Sequence, residues 1–390
     1  MNYESFLSAR AKELKPSGIR KFFDIAEQME GVISLGVGEP DFKTPYTIRD
    51  AAIRSLEVGK TRYTSNWGTL ELRREIANYM NRRFGLEYSP ETDIMVTVGG
   101  SEGIDAAIRA IVGPGDDVLI PEPCFVCYDP IVRLAGGNPV TIDTRAEDNF
   151  RLTASALEER ITPNTKLLIL PYPNNPTGAI MRQEDLEAVA EVILRHNLLV
   201  LSDEIYAEMT YGGPNHVSIA SIPGMKERTV IVNGFSKAYS MTGWRLGFLC
   251  GPEPLLSVMI KIHQYAIMSA PTTSQYAAVE ALRRCDDKIH EMVAEYNMRR
   301  RLVVDGFRKM GLDCFEPEGA FYIFPSIQST GLTSEEFCEK LLHAQKVALV
   351  PGTAFGACGE GYVRVSYCYS IDHLLEAMRR IGLFLDSLKG

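Results

Sequence analysis

Polar side chains that can do chemistry follow directly after several short apolar runs of this 390-residue chain. They are Asn174 and Asn175 after Leu167–Leu170, Asp203 after Leu198–Leu201, and Ser236 and Lys237 after Val230–Val232. A lysine amine can act as a nucleophile or a base, and a carboxylate that ends an apolar strand must be solvated, paired or facing a cation. Each group also has a plain structural explanation, namely a rigid turn, a helix cap or a solvated charge. Residue type alone therefore leaves both interpretations open.

A glycine-rich segment, Gly99–Gly103, lies between the apolar run Ile94–Val98 and a helical pattern. Its glycines allow close backbone approach, Ser101 can cap the helix, and free N–H groups at a helix start attract an anion. The spacing is neither a Walker loop nor the G-x-G-x-x-G fingerprint, so a plain tight turn explains it equally well. Arg245, in Thr-Gly-Trp-Arg, would add a guanidinium to such an anion site.

Arg364 stands in an alternating stretch, Tyr362–Tyr369, on the face opposite Val363 and Val365. A lone arginine in such a strand is more often a surface charge. A guanidinium can instead bind a carboxylate through two parallel hydrogen bonds, so both interpretations stay open at this point.

The apolar runs predict the strands that must position these side chains. Those between residues 90 and 250 are Ile94–Val98, Val118–Ile120, Leu167–Leu170, Leu198–Leu201, Val230–Val232 and Leu246–Cys250. Several are apolar on both faces, which is typical of strands buried under helices on two sides. Helical patterns lie between them, most clearly at Glu184–His196, and this alternation favours an α/β fold with a mainly parallel central sheet covered by helices. In such a sheet ligands bind beyond the carboxyl ends of the strands.

The sequence after Pro271 predicts a smaller α+β domain. A long helix is expected from about Thr273 to Met310, followed by a helix near Ser334–Gln345 and a last amphipathic helix. The basic cluster Arg299–Arg301 is expected to be a solvated face of the long helix. We therefore divide the chain into an arm with part of the small domain (1–44), a large domain (45–285) and a small domain (286–390).

Composition and charge argue against several classes of function. Lysine and arginine (41) are outnumbered by aspartate and glutamate (50), which disfavours a nucleic-acid partner. No apolar run approaches the roughly 18 residues of a membrane helix, and the charged N-terminus lacks the apolar core of a signal peptide, so we expect a cytoplasmic protein without a membrane partner. Only Cys124 and Cys127 form a C-x-x-C pair and the histidines are scattered, so we expect ordinary thiols and no metal.

Taken together, four motifs resemble a known family. Asn-Asn-Pro-Thr-Gly at 174–178, Ser-Asp-Glu-Ile-Tyr at 202–206, Ser-Lys at 236–237 with Thr-Gly-Trp-Arg at 242–245, and Gly-Tyr-Val-Arg at 361–364 have the order and approximate spacing of class I aminotransferases. The resemblance extends from Leu35–Phe42 to the C-terminal helix, and it is closest to the bacterial and archaeal subgroup of aromatic, alanine and aspartate aminotransferases. It implies the aspartate aminotransferase fold, which is fold type I of the transferases that depend on pyridoxal 5'-phosphate (PLP).

The resemblance also implies roles for individual residues. Lys237 would hold the PLP cofactor as a Schiff base and later move the proton of the substrate's α-carbon, while Asp203 would keep the pyridine nitrogen protonated. The residues expected to bind the phosphate are Gly100, Ser101, Glu102, Ser236, Arg245 and, from a partner subunit, Tyr63. The residues expected around the ring are Asn175 and Tyr206 at its phenolic oxygen and Phe125 on its face. Arg364 would bind the substrate's α-carboxylate, together with Asn175 and the backbone of Gly38.

The activity implied is ping-pong transfer of an amino group from an L-amino acid to a 2-oxo acid such as 2-oxoglutarate, carried out by a homodimer. The segment Gln264–Gln275 contains no arginine or lysine for a distal carboxylate, which favours aromatic or other neutral amino acids. Two alternatives stay open. One is an aspartate- or alanine-preferring aminotransferase, and the other is a PLP-dependent lyase or synthase on the same scaffold.

Overall fold

The computed structural model of the chain describes residues 1, 3–14, 16, 18, 29–213 and 215–389. Its α-helices are α1 (Ala9–Glu13), α2 (Tyr46–Glu57), α3 (Leu70–Phe84), α4 (Gly99–Ile111), α5 (Tyr128–Ala135), α6 (Ala154–Glu158), α7 (Gln183–Arg195), α8 (Glu253–Ala266), α9 (Thr272–Arg284), α10 (Asp286–Lys309), α11 (Ser334–Gln345) and α12 (Ile371–Leu388). Its strands are β1 (Ile33–Ser34), β2 (Ile94–Thr97), β3 (Asp117–Glu122), β4 (Asn138–Asp143), β5 (Thr165–Leu170), β6 (Leu199–Asp203), β7 (Thr229–Gly234), β8 (Gly247–Cys250), β9 (Tyr322–Ile323), β10 (Val347–Ala348), β11 (Val350–Pro351) and β12 (Val363–Ser366). None of these helices is both long and apolar enough to cross a membrane.

The central sheet has the spatial order β2-β8-β7-β6-β5-β3-β4. β8 is antiparallel to both of its neighbours, whereas the other pairs in this sheet are parallel. The carboxyl ends of β2, β5, β6 and β7 therefore meet at one edge. Because β8 runs the other way, it begins at that edge, where Gly247 pairs with Thr97 and Gly234. Arg245, two residues earlier, is brought to the same edge.

Helices cover both faces of this sheet. Successive side chains of a strand point to opposite faces, so Met95 packs with α4, α5 and α8, whereas Val96 packs with α3 and α9. Leu168 and Val200 pack with α7. Every residue of β2 and β7 is buried, which explains why the runs Ile94–Val96 and Val230–Val232 within them are continuously apolar rather than alternating. The expected α/β fold with a mainly parallel, doubly covered sheet is confirmed.

A smaller α+β part packs beside the carboxyl edge of the sheet. It contains the antiparallel sheet β11-β12-β9 and the parallel pair β1–β10. Its core joins side chains of α10, α11 and α12, such as Phe307, Phe337 and Phe384. Tyr206, just beyond β6, belongs to the same core, so the small sheet and the edge of the large sheet share one packed region.

The long helix expected from Thr273 to Met310 is two helices, α9 and α10, separated at Cys285. Cys285 has φ −119° and ψ 20°, which lie outside the helical region. Two arginines end α9 and two aspartates begin α10, and each pair complements the dipole of its own helix terminus. The periodicity continues across the break, and so the charges, not the apolar pattern, mark the boundary.

The basic cluster at 299–301 was expected to be a solvated face, but it is largely buried. Arg299 pairs with Asp41 at 2.8 Å, and Arg300 pairs with Glu316 at 2.9 Å. Both arginines are less than a tenth exposed, and Arg301 alone of the three is exposed. The apolar stems are covered by neighbouring elements, while the charged ends reach acidic partners.

Candidate functional site

Polar residues at the carboxyl edge of the central sheet surround a cavity of about 320 Å³. Eleven of the thirteen site residues predicted from the sequence line its wall. They are Gly38, Gly100, Ser101, Phe125, Asn175, Asp203, Tyr206, Ser236, Lys237, Arg245 and Arg364. The small sheet contributes further wall residues, so both parts of the fold are needed to form the cavity.

Lys237, three residues after the end of β7, presents its amine to this cavity. Its Nζ donates a hydrogen bond to the carbonyl oxygen of Gly38 at 2.7 Å. Burial lowers the pKa of Lys237 to about 8, and the positive charges of Arg364 and Arg245 act in the same direction. An amine with this pKa is partly neutral near pH 7, which is the form that attacks carbonyl carbons and accepts protons.

Asp203, the last residue of β6, is a buried carboxylate on the cavity wall. Its Oδ2 accepts a hydrogen bond from the Tyr128 hydroxyl at 2.8 Å, and its Oδ1 accepts one from the backbone N–H of Ile205 at 3.2 Å. Burial raises the pKa of Asp203 to about 6, and these two hydrogen bonds work against that rise. Among the described residues, no arginine or lysine forms an ion pair with this carboxylate, so it suits a ligand that carries a protonated nitrogen.

The start of α4 presents hydrogen-bond donors suited to an anion, and we call this turn, with Arg245 and Ser236, the anion cradle. The helix begins at Gly99 (φ +75°), so the N–H groups of Gly99, Gly100 and Ser101 lie in its first turn without helical partners. A Cβ atom on Gly99 would lie 2.7 Å from Nη2 of Arg245, which shows how closely the guanidinium approaches this turn. With the hydroxyl of Ser236 nearby, the donors suit a dianion such as a phosphate.

The sequence suggested that Ser101 caps α4, but it does not. The capping position is Val98, and the Glu102 carboxylate accepts a hydrogen bond from the Val98 N–H at 2.9 Å. The other oxygen of Glu102 binds Nδ1 of His263 at 3.0 Å. The Glu102 side chain therefore stabilises the helix start and stays off the cavity wall.

Tyr63 also lies outside the wall of the cavity. It follows α2, and its side chain is 82% exposed. The surrounding loop is held by hydrogen bonds from Thr272 to the carbonyl of Arg62 and from Asn66 to the carbonyl of Met268. A contact between Tyr63 and the cavity is absent within the part of this single chain that the structure describes.

Arg364 is a buried cation on the cavity wall, and the surface-charge interpretation of this residue is wrong. Its Nη1 donates to Oδ1 of Asn175 at 2.9 Å, and its Nη2 donates to the carbonyl of Gly36. Its Nε is buried and has no hydrogen-bond partner in the described structure. A guanidinium with unused donors facing a cavity fits a carboxylate ligand.

Gly38 contacts a different cation from the one expected. The sequence predicted that its backbone would assist Arg364, but its carbonyl accepts the hydrogen bond from Lys237, and Gly36 supplies the carbonyl that Arg364 uses. The N–H of Gly38 is not part of either bond and stays a candidate donor to a bound carboxylate.

Two aromatic residues complete the expected set. The hydroxyl of Tyr206 is 2.9 Å from the hydroxyl of Tyr322, and its ring lies 5.8 Å from Nζ of Lys237. Phe125 presents a ring to the cavity and packs edge-on against Tyr128, with ring centroids 6.2 Å apart. A flat heterocyclic ligand would find both a stacking surface and a phenol here.

Two aromatic wall residues, Tyr128 and Tyr322, were not predicted from the sequence. Tyr128 had a usable signal, because it follows Phe125 by three residues and begins α5 near the carboxyl edge of the sheet. Tyr322 had none, since it reaches the cavity through the pairing of β9 with β12, and no local pattern predicts that pairing.

Within the part of the chain that the structure describes, the side chains that could together hold a metal ion form a different group. Side-chain ligand atoms of Glu122, Asp143 and Cys358 lie within 4.8 Å of one another. Burial raises the pKa of Glu122 to about 7, and Asp143 is exposed to solvent. These residues are not on the wall of the cavity described above.

The sequence matches known proteins along nearly its whole length. The family model described as aminotransferase class I and II matches residues 30–381. Aromatic-amino-acid aminotransferase 2 of Thermococcus litoralis is 47% identical over 385 residues, which are 98% of this chain and 99% of the relative. The aspartate aminotransferase of Pyrococcus abyssi shows the same identity and the same coverage.

The fold matches solved structures equally well. The crystal structure of an aromatic aminotransferase from Pyrococcus horikoshii has a TM-score of 0.91 to this chain and 46% sequence identity. The match covers 94% of this chain and 99% of that one.

Proposed function

Since the chain belongs to the class I and II aminotransferases, we propose that it binds pyridoxal 5'-phosphate in the cavity and prefers aromatic or other neutral L-amino acids as donors. It transfers the amino group to a 2-oxo acid, such as 2-oxoglutarate, in a ping-pong reaction. The observation that carries the cofactor assignment is the arrangement of an amine, a carboxylate and an anion cradle around one cavity.

The residues of the cavity fit the chemical groups of PLP one by one. The N–H groups of Gly100, Ser101 and Glu102, with Ser236 and Arg245, would hold its phosphate, and Asp203 would face its ring nitrogen. Asn175 and Tyr206 would donate to its phenolic oxygen, and Phe125 would stack on its ring. When bound, PLP supplies a carbonyl carbon that reacts with amines and a ring that accepts electrons.

The side chains of the protein would divide the remaining work. The neutral amine of Lys237 would anchor the cofactor covalently and, once the substrate's amine displaces it, take the proton from the substrate's α-carbon. The carboxylate of Asp203 would keep the ring nitrogen protonated. Arg364, with Asn175, would hold the α-carboxylate and so fix which bond at the α-carbon is broken.

The charges on the cavity wall support neutral donors. Among the described wall residues the cations are Lys237, Arg245 and Arg364, and each already has a partner in this scheme. A second substrate carboxylate would meet no further cation there, and burying it unpaired would be costly. The two relatives compared above are equally similar to this chain and differ in their named substrate, so overall similarity does not choose between them. The charges on the wall favour the aromatic substrate over aspartate.

We also propose a homodimer in which Tyr63 reaches the phosphate of the neighbouring subunit. Large apolar side chains are exposed at both ends of α2, the helix before its loop, and at the end of α8, namely Tyr46, Val58, Tyr265, Ile267 and Met268. Exposed apolar groups of this size are typical of an interface.

The domain boundaries proposed from the sequence (1–44, 45–285 and 286–390) are kept as part of this proposal. The break between α9 and α10 at Cys285 supports the boundary between the large domain and the small domain.

A panel of amino donors tests the function. The purified protein should be yellow, and L-phenylalanine or L-tyrosine with 2-oxoglutarate should give the corresponding 2-oxo acid and glutamate. We expect kcat/KM for these donors to exceed that for aspartate by roughly tenfold or more, since a missing cation leaves a buried charge unpaired. Lys237→Ala should abolish turnover, while Lys340→Ala, which removes an exposed lysine on α11, should not change it. Reaction of aspartate and glutamate alone would contradict the proposed preference.

The same panel separates transamination from lyase chemistry. A lyase releases ammonia or a thiol from the amino acid without a 2-oxo acid, whereas a transaminase stops after one turnover when no acceptor is present. Repeated turnover without an acceptor would therefore contradict the transfer reaction and favour the alternative.

A further inference from the structure

Tyr322 contacts two groups of the site, although no motif identified it. It begins β9, is 1% exposed and lines the cavity. Its partner in the register is Ser366 of β12, the strand that also carries Arg364. The small sheet thus holds the ring of Tyr322 and the guanidinium of Arg364 in a fixed relation.

The hydroxyl of Tyr322 forms a hydrogen bond with the hydroxyl of Tyr206 at 2.9 Å. Burial raises the pKa of both phenols, that of Tyr322 to about 12, so both keep their protons at neutral pH. Each phenol has one proton, so if Tyr206 donates to a ligand, Tyr322 must donate to Tyr206. A hydroxyl that accepts a hydrogen bond becomes a stronger donor, which makes Tyr206 more effective toward the ligand.

The ring of Tyr322 confines the guanidinium of Arg364. The Cζ atom of Arg364 lies over this ring at 4.5 Å from its centroid and over the ring of Phe355 at 4.7 Å. Such contacts attract a cation and fix its orientation. Because Asn175 and Gly36 hold Nη1 and Nη2, the rings and these two acceptors together determine where the remaining N–H groups point.

Tyr322 also contacts the segment that accepts the hydrogen bond of Lys237. A Cβ atom at Gly38 would collide with the Tyr322 hydroxyl, so only glycine allows the backbone to pass this close. The carbonyl of Gly38 is the acceptor for Nζ of Lys237.

We propose that Tyr322 is a positioning residue with two separable roles in the aminotransferase reaction: its hydroxyl directs the proton of Tyr206 toward the cofactor, and its ring fixes the plane of Arg364 for the substrate's carboxylate. This inference rests on the function proposed above. It assigns the two roles to different atoms of one side chain, so two variants can separate them.

Tyr322→Phe removes the hydroxyl and keeps the ring. Hydrogen bonds to the cofactor's phenolic oxygen favour its ionised form, so a weaker Tyr206 donor should let the bound cofactor keep its proton to higher pH. We expect the pH midpoint of its visible absorbance change to rise by roughly 0.5 to 1 unit, the size of one net hydrogen bond. The dissociation constant of 3-phenylpropionate, which has a carboxylate but no amine, should stay within about twofold of the unaltered protein.

Tyr322→Leu removes the ring as well. The dissociation constant of 3-phenylpropionate should then rise roughly tenfold, as expected for loss of a desolvated cation–ring contact, and the absorbance midpoint should shift as in the phenylalanine variant. The phenylalanine variant thus restores carboxylate binding without restoring the midpoint. If the leucine variant does not fold, Phe355→Leu tests the same confinement of Arg364 from the other ring.

Tyr211→Phe is the matched control. Tyr211 is another buried phenol of the same core, and its hydroxyl donates to the carbonyl of Ala320, which also accepts from Tyr367. It does not line the cavity, so neither observable should change.

Each result bears on a distinct claim. An unchanged midpoint in Tyr322→Phe would overturn the role of the hydroxyl, and unchanged binding of 3-phenylpropionate in Tyr322→Leu would overturn that of the ring. Equal shifts in Tyr211→Phe would reduce both to general destabilisation of the core and overturn the inference. If the unaltered protein does not bind PLP, the proposed function fails instead.

Discussion

At the scale of single residues, the protonation state of Lys237 is the most consequential property of the site. The amine is buried, its hydrogen-bond acceptor is an uncharged carbonyl, and two arginines lie nearby. Desolvation and like charge both disfavour the ammonium form. The environment of the cavity therefore favours the neutral form of the Lys237 amine, which is the form that acts as a nucleophile.

This property can be measured in the cofactor-free protein. After reductive ¹³C-methylation of the lysines, the NMR resonance that is missing from Lys237→Ala should titrate near pH 8, well below the ordinary value of 10.5. The sign follows from the lowered pKa, since the charged form should predominate below pH 8 and the neutral form above it. The exposed lysines in the same spectrum provide the reference. Titration of this resonance together with them would show that burial does not set the pKa of Lys237.

Single-residue chemistry could be predicted only where it is local in the sequence. Asp203 and Lys237 each end or closely follow a buried strand, so an apolar run followed by a polar residue pointed to them. Arg364 stayed ambiguous, because its burial depends on the ring of Tyr322 in β9 and on the ring of Phe355 in the segment after β11. Such environments arise from pairings between distant segments, which no local pattern encodes.

At the scale of elements, the direction of β8 and the start of α4 together build the anion cradle. Arg245 precedes β8, and α4 follows β2, the strand on which β8 pairs. The antiparallel pairing therefore brings a guanidinium against the first turn of a helix. The apolar runs predict a ligand at this edge of the sheet, but purely parallel strands would not bring Arg245 to it.

Gly99→Ala should test how tightly this cradle is built. The position has φ +75°, and the new Cβ would also lie 2.7 Å from Nη2 of Arg245. We expect the free energy of unfolding to fall by about 1–2 kcal/mol, because the backbone conformation at this position is unfavourable for alanine. We also expect the dissociation constant of PLP to rise roughly tenfold, because the guanidinium of Arg245 is displaced. Urea unfolding of the cofactor-free protein and equilibrium dialysis measure the two effects.

Gly311→Ala supplies the control for backbone strain alone. Gly311 has φ +82°, and an added Cβ would meet nothing within 4 Å. This variant should lose about 1–2 kcal/mol of stability and bind PLP normally. Equal PLP affinity in the two alanine variants would contradict the close packing of Arg245 on the turn.

The elements that the sequence analysis misjudged share a physical cause. The pattern from 273 to 310 is apolar at helical spacing on both sides of Cys285, so periodicity alone could not reveal two helices. The arginines of α10 are charged, yet Asp41, which is distant in the sequence, and Glu316, which lies in the segment after α10, neutralise them where they are buried. Charge and spacing along one element predict its type well and its surroundings poorly.

At the scale of the whole molecule, the cavity of one chain lacks one predicted contact. Tyr63 is 82% exposed and lies outside the wall of the cavity, whereas four other phosphate-binding candidates line it, namely Gly100, Ser101, Ser236 and Arg245. A twofold dimer places the same patch of each subunit against the other, so both sites would gain the missing hydroxyl at once. In the proposed dimer, the interface would therefore complete each site as well as add stability.

Mixing two variants that each lack one of these side chains tests this arrangement directly. Lys237→Ala removes the amine of a subunit's own site, and Tyr63→Ala would remove a contact from the neighbouring site. If the subunits exchange freely in an equal mixture, about half of the dimers contain one subunit of each variant. Each mixed dimer has one intact site out of two, so the activity should recover to about a quarter of that of the unaltered protein. A mixture of Lys237→Ala and Arg364→Ala should recover nothing, because both residues line the cavity of the same chain. Activity no higher than the mean of the Lys237→Ala and Tyr63→Ala proteins would mean that Tyr63 does not act across an interface, whatever the oligomeric state.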